Sequence, residues 1–135
     1  MKFLCLAYEE EGKLDALSRS EWDGLRRDTL EYVEKLRKTG YLIHAEPLQH
    51  TRTAVSVRAR NGALSATDGP FAETKEQLGG FFLIEAKDMD EAIRVASAWP
   101  SARIGTIEVR PVEAGLQAEG RYAAPGSRTI QLKTN

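Results

Sequence analysis

Cysteine and histidine are both scarce in this sequence of 135 residues, which holds one cysteine, Cys5, and two histidines, His44 and His50. A single cysteine excludes an internal disulfide and a cysteine-rich metal site. We expect Cys5 to be a buried and unreactive core residue. Any imidazole chemistry near neutral pH must use His44 or His50, and we expect His50 to be exposed in a connection. We predict neither a metal ion nor a cofactor.

The sequence also lacks an excess of charge and any long apolar run. Its net charge is −1, so we expect neither a nucleic acid nor an anionic membrane as a partner. The apolar runs are too short to span a bilayer. The apolar start, residues 1–8, is followed at once by three glutamates, and it is therefore too short for a signal peptide. These features predict a cytoplasmic protein.

The composition that is present suits one soluble globular domain. Hydrophobic residues make up 41% of the chain and charged residues 29%, which argues against extensive disorder. We place the domain at residues 1–113. The remainder, 114–135, has few apolar residues, and we interpret it as a C-terminal tail that is ordered only when it packs on a partner.

Hydrophobic periodicity predicts an α+β fold with a β-α-β-hairpin-β-α-β order. Ser18 and Glu21 have the spacing of a capping box at the start of the first helix. Asn61-Gly62 is a strong signal for a tight hairpin turn. This order is the ferredoxin-like split βαβ plan with an inserted hairpin. The predicted strands are 2–8, 41–48, 53–59, 63–67, 80–86 and 105–112; the helices are 19–39 and 88–99; and 9–17 is a polar connection.

The strands at 2–8 and 80–86 are apolar on both of their alternating faces. Two helices can cover only one face of the sheet that these strands form. An exposed apolar face of that size marks an interface, and two sheets packed face to face would cover it. We therefore predict a homodimer.

The run from Asp68 to Ala86, DGPFAETKEQLGGFFLIEA, resembles the signature of the DGPF-domain branch of the YCII-related superfamily. Glu46-Pro47-Leu48, Asp90-Glu91-Ala92 and the run GTIEVRP at 105–111 agree with it. The resemblance covers roughly residues 1–113. It implies a dimeric α+β barrel with a cleft in each protomer.

The resemblance implies two classes of function. Members of the superfamily are mostly uncharacterised, and a role as enzymes is proposed for them from a His–Asp pair in the cleft. That histidine lies on the first helix, where this chain has Thr29 at about the same place, so the pair does not carry over. Many DGPF proteins are associated with extracytoplasmic-function sigma factors, which implies a non-catalytic regulatory or interaction module as the alternative.

Asp68 and His44 are the candidate catalytic residues. Asp68 follows a predicted strand at the head of the signature, where it can be an acid or base or simply a turn former. His44 and Glu46 share a face of their strand by alternation. They are either a base and its orienting group or a histidine bonded to its neighbour. We predict that Asp68 lies at the rim of a cleft and that His44 faces the same cleft.

The candidate substrate-binding residues surround these two. They are Glu46, Gly69, Pro70, Glu73, Lys75 and Arg110. Each has a structural alternative: a turn for Gly69 and Pro70, a solvated loop for Glu73 and Lys75, and a surface ion pair with Glu108 for Arg110. The sequence thus predicts a small-molecule site, catalytic or binding only, in a cleft of a homodimer. Trp22 and Trp99 fall on the inner faces of the helices, and we expect both in the core.

Overall fold

A computed structural model describes residues 1–113 of the chain. The proposed tail, 114–135, lies outside the described residues. The elements in chain order are β1 (Lys2–Glu9), α1 (Glu11–Asp15), α2 (Arg19–Lys38), β2 (Leu42–Pro47), β3 (Val55–Arg60), β4 (Ala63–Asp68), β5 (Gln77–Glu85), α3 (Met89–Ser97) and β6 (Thr106–Pro111). Two short 3-10 turns, Thr51–Thr53 and Pro100–Arg103, precede β3 and β6. Within the described residues, no helix is both long and apolar enough to cross a membrane.

The fold is a mixed α+β fold with two antiparallel sheets. The larger sheet has four strands in the order β2-β5-β1-β6, and the hairpin β3-β4 forms a separate two-stranded sheet. The turn of the hairpin uses positive φ angles at Asn61 and Gly62, as the Asn-Gly signal predicts. The capping box of Ser18 and Glu21 is present, and the Asp88 side chain caps α3 by accepting from the backbone of Glu91.

One predicted connection is wrong. Residues 9–17 are not a simple polar connection, because β1 continues to Glu9 and α1 follows it. No side chain caps the N-terminus of α1. Instead the Glu11 backbone N–H donates to Oε1 of Gln77, at 2.9 Å, in a strand far along the chain. A helix of one turn that depends on such a contact leaves no local sequence signal.

The core lies between the larger sheet and the helices α2 and α3. Phe3, Cys5, Phe82 and Ile84 are fully buried on the helix-facing side of the sheet. Trp99 stacks on Phe82, with ring centroids 3.9 Å apart and planes 9° apart. The core positions expected for Cys5 and Trp99 are therefore confirmed. Burial raises the pKa of the Cys5 thiol to about 12, so this cysteine is unreactive at neutral pH.

Trp22 is not in the core, contrary to the expectation from its helical face. Its side chain is 45% exposed. Leu36, near the C-terminal end of α2, is the buried residue of this helix. The first turns of α2 therefore lie away from the core that the sheet and α3 form. In α3 likewise, Ile93 is half exposed while Val95 is buried.

Candidate functional site

The face of the larger sheet that points away from the helices is apolar in its centre and charged at both edges. Pairing across the four strands places its side chains in two rows, His44–Leu83–Leu4–Arg110 and Glu46–Phe81–Leu6–Glu108. The four apolar side chains on the central strands are only half-buried. We call these eight residues the open sheet face.

Each edge of the open sheet face carries a contact between a nitrogen-bearing side chain and a glutamate along its strand. Nε2 of His44 lies 2.9 Å from Oε2 of Glu46 on β2, so both side chains share a face, as alternation predicts. Nε of Arg110 lies 3.8 Å from Oε2 of Glu108 on β6. All four side chains are about half exposed. The contact between His44 and Glu46 is thus open to a ligand on this face, and an acid–base role of His44 stays a prediction.

The structure places Asp68 in a different sheet from that pair. Asp68 is exposed at the end of β4, in the separate hairpin sheet. Among residues 1–113 no hydrogen bond or ion pair joins Asp68 to His44. Gly69, with φ of +103°, donates its N–H to the carbonyl of Ala54 at 2.7 Å and accepts from the Ser56 hydroxyl. The turn-forming role of Gly69 is therefore visible in the structure. A shared acid–base role of Asp68 and His44 stays a prediction.

The other predicted binding residues are spread over the surface. Pro70 and Glu73 are exposed in the segment between β4 and β5. Lys75, in the same segment, reaches back to the end of β1, with its Nζ 3.8 Å from Oε1 of Glu10. This contact adjoins a group of side chains that the sequence patterns did not predict.

That group centres on Glu9 at the end of β1. The Glu9 carboxyl lies directly over Gly79 of β5: a Cβ at position 79 would be 2.2 Å from Oε1 of Glu9. Among the described residues, Oε2 of Glu9 is a buried oxygen without a hydrogen-bond partner. The pKa of Glu9 is raised to about 7, chiefly by burial and also by the nearby charges of Glu76 and Glu11.

Glu11 lies near Glu9, but its pKa is shifted in the opposite direction. Its carboxylate accepts from the backbone N–H of Thr51 at 2.8 Å and from the Thr51 hydroxyl. Burial acts to raise the pKa of Glu11, but these hydrogen bonds and the charges of His50 and Arg52 outweigh it and lower the pKa. Two neighbouring carboxyls are thus pushed apart in pKa, an arrangement that active sites use to separate an acid from a base.

His50 belongs to the same group, and its predicted exposure is wrong. It is half-buried, with Nε2 3.5 Å from Oε1 of Glu11 and 3.8 Å from Oδ2 of Asp15. Its Nδ1 accepts from the backbone N–H of Arg52 at 3.1 Å. When His50 is neutral, its proton is therefore on Nε2, facing the carboxylates. We call Glu9, Glu11, His50, Thr51 and Gly79 the carboxyl corner.

Two surface cavities lie elsewhere. They have volumes of about 450 and 350 Å³ and flank the ion pair between Asp28 and Arg103, where Nη2 and Oδ2 are 3.2 Å apart. Both are open to solvent where α2 meets the turn Pro100–Arg103. Neither is lined by Glu9, His44 or Asp68.

Comparison with known proteins defines the class. The YCII-related domain family matches residues 1–116, so the chain belongs to this family. An uncharacterised protein, R00369, of Rhizobium meliloti (strain 1021) is 37% identical over 114 residues, which are 83% of this chain and 92% of that protein. The DGPF branch remains a prediction.

A solved structure is similar in fold. It is the 5-chloro-2-hydroxyhydroquinone dehydrochlorinase of Burkholderia phenoliruptrix AC1100 in complex with 2,5-dihydroxybenzoquinone. The match has a TM-score of 0.51 and 19% sequence identity, and it covers 85% of this chain and 96% of that one. At this identity the likeness shows the fold alone.

Proposed function

We propose that this protein binds a small molecule as a homodimer and acts on it as an enzyme. In this proposal the Glu9 carboxyl takes a proton from the bound molecule or gives one to it. The observation that carries the proposal is the Glu9 carboxyl itself. It has a pKa of about 7, and one of its oxygens is buried without a partner among residues 1–113. A general acid or base works best when its pKa is close to the working pH.

The surroundings of Glu9 suit this role. Gly79 leaves the space that the carboxyl occupies. Glu11 is tied to Thr51 and stays ionised, so its charge favours a proton on Glu9. His50 is held with its Nε2 toward Glu11. The carboxyl corner thus offers one group that can exchange a proton near neutral pH beside fixed polar neighbours that can orient a ligand.

The open sheet face supports the homodimer. Leu4, Leu6, Phe81 and Leu83 lie together at its centre and are only half-buried in the single chain. The strand order β2-β5-β1-β6 supports the ferredoxin-like plan that we propose for this chain. We propose that two such sheets pack face to face as a dimeric α+β barrel, with His44 and Glu46 at the rim of the interface.

The dehydrochlorinase supports an enzymatic role in general terms. A protein of the same fold works on a small hydroxylated ring and is known in complex with 2,5-dihydroxybenzoquinone. Loss of HCl from such a compound requires a base to take up the proton. For this chain we propose only that a protein of this fold can transfer a proton to or from a small polar molecule.

A thermal-shift screen of small polar metabolites at pH 7, with 2,5-dihydroxybenzoquinone as one probe, tests the proposal. A ligand present at a hundred times its Kd stabilises the native state by about 2.7 kcal/mol. Compounds that bind are then assayed for turnover. We expect Glu9→Gln to keep most of the binding and lose at least about a hundredfold in turnover rate, which is within the range for a general base.

The matched control is Glu34→Gln, which changes an exposed glutamate paired with Arg37 on α2. It should bind and turn over ligands as wild type does. Equal turnover by Glu9→Gln and wild type would remove Glu9 from the mechanism. A protein that binds nothing in the screen would instead favour the regulatory module associated with a sigma factor.

A further inference from the structure

The β3-β4 hairpin has one face without charge at its centre, and the described part of the chain does not cover it. Register pairs Val57 with Ala66 and Ala59 with Leu64, so these side chains share a face. Val57 is 64% exposed and Leu64 75% exposed. We call this the apolar hairpin face. The hairpin makes few contacts with the larger sheet or the helices.

Such a hairpin needs a partner for physical reasons. A two-stranded hairpin is marginally stable in water unless its apolar face packs on something. The opposite face carries Arg58 and Ser65 as a pair, and Arg60 further on, so it is suited to solvent. Only the apolar hairpin face therefore needs to pack on another surface.

The position of the hairpin and the size of the open sheet face indicate which molecule packs on the apolar hairpin face. The hairpin leaves the larger sheet where β2 ends at Pro47 and β5 begins at Gln77. The four strands lie about 4.8 Å apart and have 8, 6, 9 and 6 residues, which gives the sheet face roughly 450 Å² in flat projection. A standard interface buries about 800 Å² of accessible surface on each partner. A dimer built on the sheet face needs further surface next to it.

We infer that the apolar hairpin face packs against the second protomer, so that one association covers both apolar surfaces of the chain. This inference rests on the homodimer proposed above and adds to it a second contact. Asp68 is paired with Val55 at the base of the same hairpin face. The contact therefore brings the Asp68 carboxylate to the boundary between the subunits, where a cleft can form beside it.

Thiol labelling tests this contact directly, because the native Cys5 is fully buried with a pKa of about 12 and does not compete. Val57→Cys places a thiol on the apolar hairpin face, and Ser65→Cys places one on the opposite face. Each variant is reacted with a maleimide over a range of protein concentrations, and sedimentation velocity on the same samples gives the oligomeric state. We expect labelling at position 57 to slow at least tenfold on dimerisation, and labelling at 65 to stay constant.

The outcomes separate the two proposals. A dimer in which positions 57 and 65 react equally fast overturns the hairpin contact and leaves the sheet-face dimer standing. A monomer at all concentrations overturns both. As a second variant, Val57→Lys should weaken the dimer at least tenfold, with Ser65→Lys as its matched control. Equal dimer affinities for these two lysine variants would also overturn the contact.

Discussion

Gly79 and Glu9 fit together across two neighbouring strands: the space where a side chain at position 79 would begin is filled by the Glu9 carboxyl. A Cβ there would lie 2.2 Å from Oε1 and 2.8 Å from Cδ of Glu9. The glycine is thus a condition for the half-buried carboxyl that the proposed chemistry needs. This relationship leads to a first prediction about neighbouring glycines.

Gly79→Ala should cost less stability than Gly80→Ala, although its new contact is shorter. At position 79 the Cβ meets the far end of a flexible side chain, which can turn toward solvent. At position 80 the Cβ would be 2.9 Å from the backbone carbonyl oxygen of Glu46, so a strand has to shift. We expect a loss of less than about 1 kcal/mol for Gly79→Ala and about 1–3 kcal/mol for Gly80→Ala. Chemical denaturation measures both, and the reverse order would contradict the structure.

Glu9→Gln should change how stability depends on pH. The folded pKa of Glu9 is about 7 against an ordinary value of 4.5. Between pH 4.5 and about 7, Glu9 keeps its proton in the native state but has lost it in the unfolded state. The contribution of Glu9 to the free energy of unfolding is therefore complete below pH 4.5 and is lost as the pH rises through 7. Wild type should therefore lose about 1–2 kcal/mol relative to Glu9→Gln over this range, after allowance for partial exposure.

Glu11→Gln supplies the control of opposite sign. The pKa of Glu11 is lowered in the folded protein, so its contribution to stability is present above the ordinary pKa and is lost as pH falls. Urea unfolding of the three proteins at several pH values between about 4 and 8 gives the comparison. Parallel pH profiles for wild type and Glu9→Gln would refute the assignment.

The two tryptophans should differ sharply on truncation. Trp99 is stacked on Phe82 and meets Tyr32 edge-on, with ring centroids 6.1 Å apart. Trp99→Ala is expected to cost about 3–5 kcal/mol, as for other large core aromatics. Trp22→Ala should cost less than about 1 kcal/mol, because Trp22 is 45% exposed. Thermal unfolding followed by circular dichroism distinguishes them, and equal losses would place Trp22 in the core after all.

Gly69→Val should destabilise the base of the hairpin. Gly69 has φ of +103°, and a Cβ added there would meet nothing within 4 Å, so the cost comes from the backbone and not from crowding. A β-branched residue in this region costs about 1–3 kcal/mol. Gly12→Ala in α1, where an added Cβ also meets nothing within 4 Å, is the control and should be neutral or stabilising. Hydrogen exchange at the bond from the Gly69 N–H to the Ala54 carbonyl would report the change locally.

Much of the fold could be predicted from local patterns. Alternation places His44 beside Glu46, and the Asn61-Gly62 pair identifies the hairpin turn, because both features depend on residues close in sequence. Capping residues likewise mark the starts of α2 and α3. The two segments that are apolar on both faces, 2–8 and 80–86, are the two central strands of the larger sheet, β1 and β5.

The carboxyl corner could not be predicted in the same way. Glu9 meets Gly79 only because β1 and β5 pair in one register, which shifts at an irregularity between Ala7 and Tyr8. His50 meets Glu11 because a 3-10 turn packs on α1. Three consecutive glutamates at a strand end, together with a Gly-Gly pair in a later strand, were the available signal, and it does not determine the pairing.

The proposed proton transfer is tested most directly by titrating Glu9 with carboxyl-carbon NMR in the folded protein. Spectra of protein labelled at the glutamate carboxyl carbons are recorded from about pH 4 to pH 9, on both sides of the expected pKa. The Glu9 signal is identified by its absence in Glu9→Gln. We predict a midpoint close to 7, as the burial of this carboxyl beside Glu76 and Glu11 requires. A Glu9 midpoint near 4.5, the value of an ordinary glutamate, would contradict the proposed proton transfer.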